Sequence, residues 1–85
     1  MYEIDWKVKA MKQLARIGCR ETRDAIYTSV QSLQVFPVVS NVKKLKNHEH
    51  AYRLRVGRYR VFFEADGEVS IIRIEEVKKR DDRTY

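Results

Sequence analysis

The hydrophobic pattern of this chain settles into a period of two from Ala51 onward, and that change fixes its architecture. From Ala51 onward, Tyr52, Leu54 and Val56 alternate with Arg53 and Arg55. Tyr59, Val61 and Phe63 then alternate with Arg60, Phe62 and Glu64. A period of two marks strands with one buried face. Gly57-Arg58 predicts a tight turn between the two runs, and Asp66-Gly67 is a hairpin signal. A last strand is predicted over residues 68–77, with Ile72 and Ile74 on one face.

Between Lys7 and Phe36 the spacing is helical. Ala10, Met11, Leu14 and Ile17 recur at three to four residues, opposite Lys7, Lys9, Lys12 and Arg16, which predicts an amphipathic helix stopped by Gly18. Residues 21–36 predict a second helix with Ala25, Ile26, Val30 and Leu33 on one stripe, ended by Pro37. The short link between them makes a helical hairpin. Residues 1–6 alternate Tyr2, Ile4 and Trp6 with Glu3 and Asp5, a short strand. Residues 37–50 read as a connection, extended near Val42–Leu45, with His48 and His50 as solvated loop side chains. The predicted order is β-α-α-β-β-β. This is an α+β domain spanning residues 1–85, an antiparallel sheet with the helical hairpin on one face.

Eighty-five residues bury only a thin core, so any site should be a shallow surface. The chain is 44% hydrophobic with three Gly and one Pro, a globular composition. There is no apolar run of about eighteen residues to cross a membrane, and no apolar leader at the N-terminus. The single Cys19 can form no internal disulfide, which fits a cytoplasmic protein. No nucleotide-binding loop, serine-hydrolase elbow or zinc-protease motif occurs, and no metal or other cofactor is expected.

The net charge of +6 favours a polyanionic partner. Alternation places it: if the apolar set of the two central strands packs under the helices, Arg53, Arg55 and Arg60 share the uncovered face with Phe62. Side chains on adjacent strands about 4.8 Å apart are within mutual reach. Guanidiniums brought together suit phosphate oxygens, and an aromatic ring beside them can stack on a base. The competing reading is an ordinary solvated sheet face covered by arginine stems.

These features together resemble the RelE/ParE superfamily of type II toxins. The resemblance rests on the element order and on the segment Val42-Lys43-Lys44-Leu45-Lys46. It rests also on the run Tyr52-Arg53-Leu54-Arg55-Val56-Gly57-Arg58-Tyr59-Arg60-Val61-Phe62-Phe63 and the ending Val77-Lys78-Lys79-Arg80. It implies a toxin that blocks translation as a ribosome-dependent, metal-independent mRNA endonuclease, in which the RNA's own 2′-hydroxyl attacks the adjacent phosphate. Arg53 and Arg55 match two lysine positions of the family, Arg60 its strand arginine and Arg80 its C-terminal arginine. Tyr85 is the candidate for its tyrosine, one residue closer to Arg80 than the family pattern has it.

Arginine stays protonated, so the proton acceptor must be another group. Glu75 is the first candidate because alternation sets it beside Arg73; Glu64 is the second and His50 the third. Lys43, Lys44, Lys46, Phe62, Arg73, Lys78, Lys79 and Arg83 are expected to hold RNA. The implied partners are a cognate antitoxin, the ribosome and mRNA. Two alternatives stay open: a ParE-like inhibitor of DNA gyrase, which is not an enzyme, and a non-catalytic basic nucleic-acid-binding domain.

Overall fold

The computed structural model describes residues 1–80. The elements are β1 (Glu3–Trp6), α1 (Val8–Ala15), α2 (Arg20–Gln31), a 3₁₀ turn (Ser32–Val35), β2 (Val42–Lys44), β3 (Tyr52–Val56), β4 (Tyr59–Asp66) and β5 (Ile71–Lys79). They build one sheet in the order β1-β5-β4-β3-β2. The meander of β2 to β5 is antiparallel, as its turns dictate. β1 differs: it lies parallel to β5, from Glu3 against Ile71 to Trp6 against Ile74. The sheet is therefore mixed, with its long crossover supplied by the helices.

Ile26, Val30 and Leu33 on the helical side meet Leu54, Val61, Phe63, Ile72, Ile74 and Val77 from the sheet. Phe36, in the connection after the 3₁₀ turn, sets its ring edge-on to Phe63 and Tyr52, at 5.8 and 5.1 Å between centroids. This one layer of helices over one face leaves the other face of the sheet free of helices. The link between α1 and α2 is held by the Arg23 guanidinium, which donates to the Ile17 carbonyl.

Several boundaries differ from the sequence pattern. The second helix winds α-helically only to Gln31 and finishes as the 3₁₀ turn, which still buries Leu33. Ala25 and Met11 are exposed, because a thin domain covers less than the full apolar stripe of each helix. The β4–β5 connection is a four-residue turn over residues 67–70 and not a two-residue one. Asp66 accepts the Glu68 N–H, and Ser70 takes the positive φ that a two-residue turn would have assigned to Gly67. The last strand consequently starts at Ile71 and runs on to Lys79. At the β3–β4 turn Gly57 has φ of 57°, the left-handed region that glycine enters without steric cost.

Two irregularities shape the site. A bulge interrupts the β4–β5 ladder: Phe62 pairs with Glu76, but Phe63 pairs with Ile74, so Glu75 has no partner across the strand. Beyond Ile74, β5 has outrun β1 and its edge is bare of strand. There α1 takes over, and the Gln13 side-chain carbonyl accepts the Val77 N–H at 2.7 Å.

Candidate active site

The register assigns the open face. β3 and β4 pair Arg55 with Arg60 and Arg53 with Phe62; β2 and β3 pair Lys43 with Arg53; β4 and β5 pair Arg60 with Lys78, Phe62 with Glu76 and Glu64 with Arg73. Directly opposed residues share a face, so Lys43, Arg53, Arg55, Arg60, Phe62, Glu64, Arg73, Glu76 and Lys78 all belong to the side away from the helices. The predicted arginine face is there.

Its members are not equivalent. Arg55 is exposed and Arg53 half-buried, with an Nε that is buried and has no hydrogen-bond partner among the described residues. Arg60 is only 8% exposed. Its guanidinium turns back over the β3–β4 turn and donates to the Gly57 and Tyr59 carbonyls, each at 3.0 Å. An arginine expected to project freely is thus built into the turn that positions its neighbours. Arg80 is exposed just past β5, its N–H donating to the Arg58 carbonyl, so the chain does lead back beside that turn. Arg83 and Tyr85 lie outside the described residues.

Lys43, Lys44 and Lys46 are all exposed, but only Lys43 stands on the arginine face; Lys44 opposes Tyr52 and Lys46 sits in the loop. Lys78 faces Arg60, whereas Lys79 opposes Tyr59 on the other side. Arg73 pairs with Asp66 at 3.8 Å and not with Glu75.

Phe62 is covered by the loop before β3. The His48 ring stacks on it at 5.0 Å and 13°, and the His50 ring lies 5.7 Å away. The loop is closed by Leu45 N–H donating to the Ala51 carbonyl and pinned by Ala51 N–H donating to Glu64 Oε2 at 3.1 Å. His48 Nδ1 accepts the His50 N–H at 3.0 Å, which places the His48 proton on Nε2. His48 remains exposed as expected of a loop side chain, whereas His50, its side chain 12% exposed, is not a solvated one.

His50 is the centre of the arrangement. Its Nε2 is 2.8 Å from Glu76 Oε2 and its Nδ1 is 3.4 Å from Glu64 Oε2. Glu76 is 3% exposed. Its other oxygen is 3.0 Å from Lys9 Nζ and 3.6 Å from Lys78 Nζ. Burial by itself raises the pKa of such a carboxyl. The hydrogen bonds from His50 and Lys9, with the charges of Lys78 and Lys9, more than offset it and hold Glu76 at about 2. Glu76 is thus a permanent buried anion.

Strict alternation would have set Glu76 in the core with Ile72 and Ile74. The bulge instead passes Glu75 out of the ladder and delivers Glu76 to the arginine face, which displaces the predicted role of Glu75 beside Arg73. The sequence does carry a trace of this: Ile74 and Val77, both buried, are spaced by three, so the apolar phase slips once within the strand. Lys9 and Gln13 left no such trace, because their partners lie around the edge of the sheet.

Glu49, His50 and Glu76 offer donor atoms within 4.8 Å of one another, the one group among the described residues with the make-up of a cation site. Glu76 already has two ammonium partners, which an incoming cation would have to displace. A pocket of about 480 Å³ lies elsewhere, between the start of α2 and the β3–β4 turn, lined by Cys19, Thr22, Ala25, Val56 and Tyr59 among others. The cluster of His50, Glu64 and Glu76 lies away from that pocket, on the face without helices.

Residues 4–83 match the family model described as ParE toxin of type II toxin–antitoxin system, parDE. No curated protein matches the chain. Among solved structures, the chain is similar to the toxin–antitoxin complex RelBE2 from Mycobacterium tuberculosis, with 23% identity, TM-score 0.78, and coverage of 93% of this chain and 98% of that one. It is similar to the archaeal RelE–RelB complex from Pyrococcus horikoshii, with 23% identity, TM-score 0.80, and coverage of 95% and 97%. It is also similar to the isolated E. coli RelE toxin, with 18% identity, TM-score 0.78, and coverage of 95% and 86%. At these identities the likeness establishes the fold.

Proposed function

The chain belongs to the ParE toxin family of type II toxin–antitoxin systems, and we propose that within it this protein is an mRNA endonuclease acting on translating ribosomes. The observation that carries this reading is the shared sheet face, on which Arg53, Arg55 and Lys78 stand beside a histidine gripped by a buried carboxylate. Arginines alone would suit any nucleic acid. A titratable ring anchored to a permanent anion among them is what strand cleavage needs and what simple gripping does not.

Chemistry follows from the placement. Arg55 and Arg53 hold the phosphate and stabilise the charge that builds on its oxygens as the 2′-oxygen attacks. The His48–Phe62 stack offers its outer ring face to a base. A shallow face cannot by itself immobilise a flexible RNA, so the ribosome supplies the fixed geometry. The restraint on such a toxin is a cognate antitoxin. Its acidic residues would neutralise the arginine face, and a helix of it would fit the groove of about 320 Å³ lined by Trp6, Met11, Leu14, Ala15, Arg23 and Tyr27 among others.

Primer extension on transcripts after induced expression tests the reading: cuts at a fixed place within codons support it. The second reading is gyrase inhibition, favoured by the exposed Val8, Met11 and Tyr27 along the helical hairpin, a surface suited to a protein partner. DNA breaks with intact transcripts would select it.

A further inference from the structure

We propose that His50 is the catalytic base that takes the 2′-hydroxyl proton, through Nδ1, and that Glu76 is the positioning residue that holds it in the required tautomer; this deepens the RNA-cleaving reading and rests on it. Glu76 anchors the arrangement. It is buried and ionised, so it only accepts hydrogen bonds. At 2.8 Å it accepts from Nε2, so a proton is held on Nε2 and the neutral tautomer it selects carries its lone pair on Nδ1. That nitrogen stands 3.4 Å from Glu64 Oε2, an ion-pair distance and not a hydrogen bond, so it is not committed to another group.

Glu64 is the more open of the two carboxylates, its side chain 35% exposed against 4% for Glu76. The His50 side chain is 12% exposed, and Glu64 forms the more open side of its surroundings, the side from which the 2′-hydroxyl is proposed to enter. Once the proton has moved, the imidazolium lies between two anions, which stabilises it where it forms. This is the logic of a buried carboxylate orienting a histidine base, with the roles of the two ring nitrogens fixed by the bulge that delivers Glu76.

The step balances. The 2′-O–H bond breaks and its proton goes to Nδ1. The 2′-oxygen bonds to phosphorus, the bond from phosphorus to the 5′-oxygen breaks, and that oxygen takes a proton from water. The hydroxide left behind is neutralised by the proton on His50. The products are a 2′,3′-cyclic phosphate and a 5′-hydroxyl end. The charged groups around His50 are Glu49 of its own loop, Glu64 of β4 and Glu76 of β5, with Lys9 of α1 and Lys78 of β5 held on Glu76 and the His48 ring 5.8 Å away.

The test uses the full chain added to ribosomes programmed with mRNA, with cleavage rates followed against pH by primer extension. His50→Ala is expected to lose at least about 100-fold in rate, with added imidazole restoring part of it. Glu76→Gln keeps the hydrogen bond and removes the charge; cutting is expected to persist while the acidic limb of the pH profile moves to lower pH. Imidazole rescue separates a missing base from a misfolded variant. The proposal is overturned if His50→Ala cuts within a few-fold of wild type, if imidazole rescues nothing, or if Glu76→Gln slows cutting without moving the limb. If the wild-type protein itself leaves the mRNA whole, the cleavage reading fails first and takes this assignment with it.

Discussion

Two arginines facing each other across one strand pair have opposite jobs. Arg55 is exposed, so Arg55→Ala should leave stability within about 0.5 kcal/mol of wild type while reducing cleavage. Arg60 is buried against two carbonyls of the turn, and Arg60→Ala should cost about 1–3 kcal/mol, so a loss of toxicity there would not by itself report on chemistry. Denaturant unfolding of both variants checks the split. Glu76 adds a pH signature. Its folded pKa is depressed from 4.5 to about 2, so its contribution is present above about pH 4.5 and is lost as pH falls through about 2. That shift corresponds to roughly 3 kcal/mol. Melting temperatures should fall across that window in the wild type and much less in Glu76→Gln. The residue types of this site were all visible in the sequence, but their grouping was not. Arg53, Arg55 and Phe62 could be placed by alternation; His50 and Glu76 are 26 positions apart and meet only because a loop folds onto Phe62 and a strand slips phase.

The elements were legible where one period governed them. β3 and β4 follow alternation on a half-buried sheet, and the structure keeps β3 and the start of β4 but carries β4 on to Asp66. β5 was legible in existence and not in register, since local pattern cannot say which residue a bulge ejects. The direction of β1 was also hidden: an edge strand of four residues carries the same alternation whichever way it runs. The far end of β5 relies on α1 for its edge. Gln13→Ala leaves the Val77 N–H without its partner and should cost about 1–2 kcal/mol. Hydrogen exchange at Val77 should then quicken more than at Ile72, buried between β1 and β4, which distinguishes a local opening from a global one.

Over the whole molecule, a net charge of +6 is spread on a domain whose helices shield one side of the sheet and leave the other to carry Lys43, Arg53, Arg55 and Lys78. Attraction to RNA phosphates should then weaken steeply with salt. Each contact removed should flatten the log–log slope by about 0.7, so Arg55→Ala is expected to show a slope shallower by that amount in single-stranded RNA binding. An uncharacterised basic grip would show the same slope and no cutting, which is why binding alone cannot carry the account. The decisive observation is the state of the message. Purified wild-type protein is added to a reconstituted translation reaction, and transcript ends are mapped beside a parallel assay of DNA supercoiling by gyrase. New transcript ends are expected inside the occupied codon, suppressed in Arg55→Ala, with supercoiling unaffected. Uncut messages together with arrested gyrase would contradict this expectation.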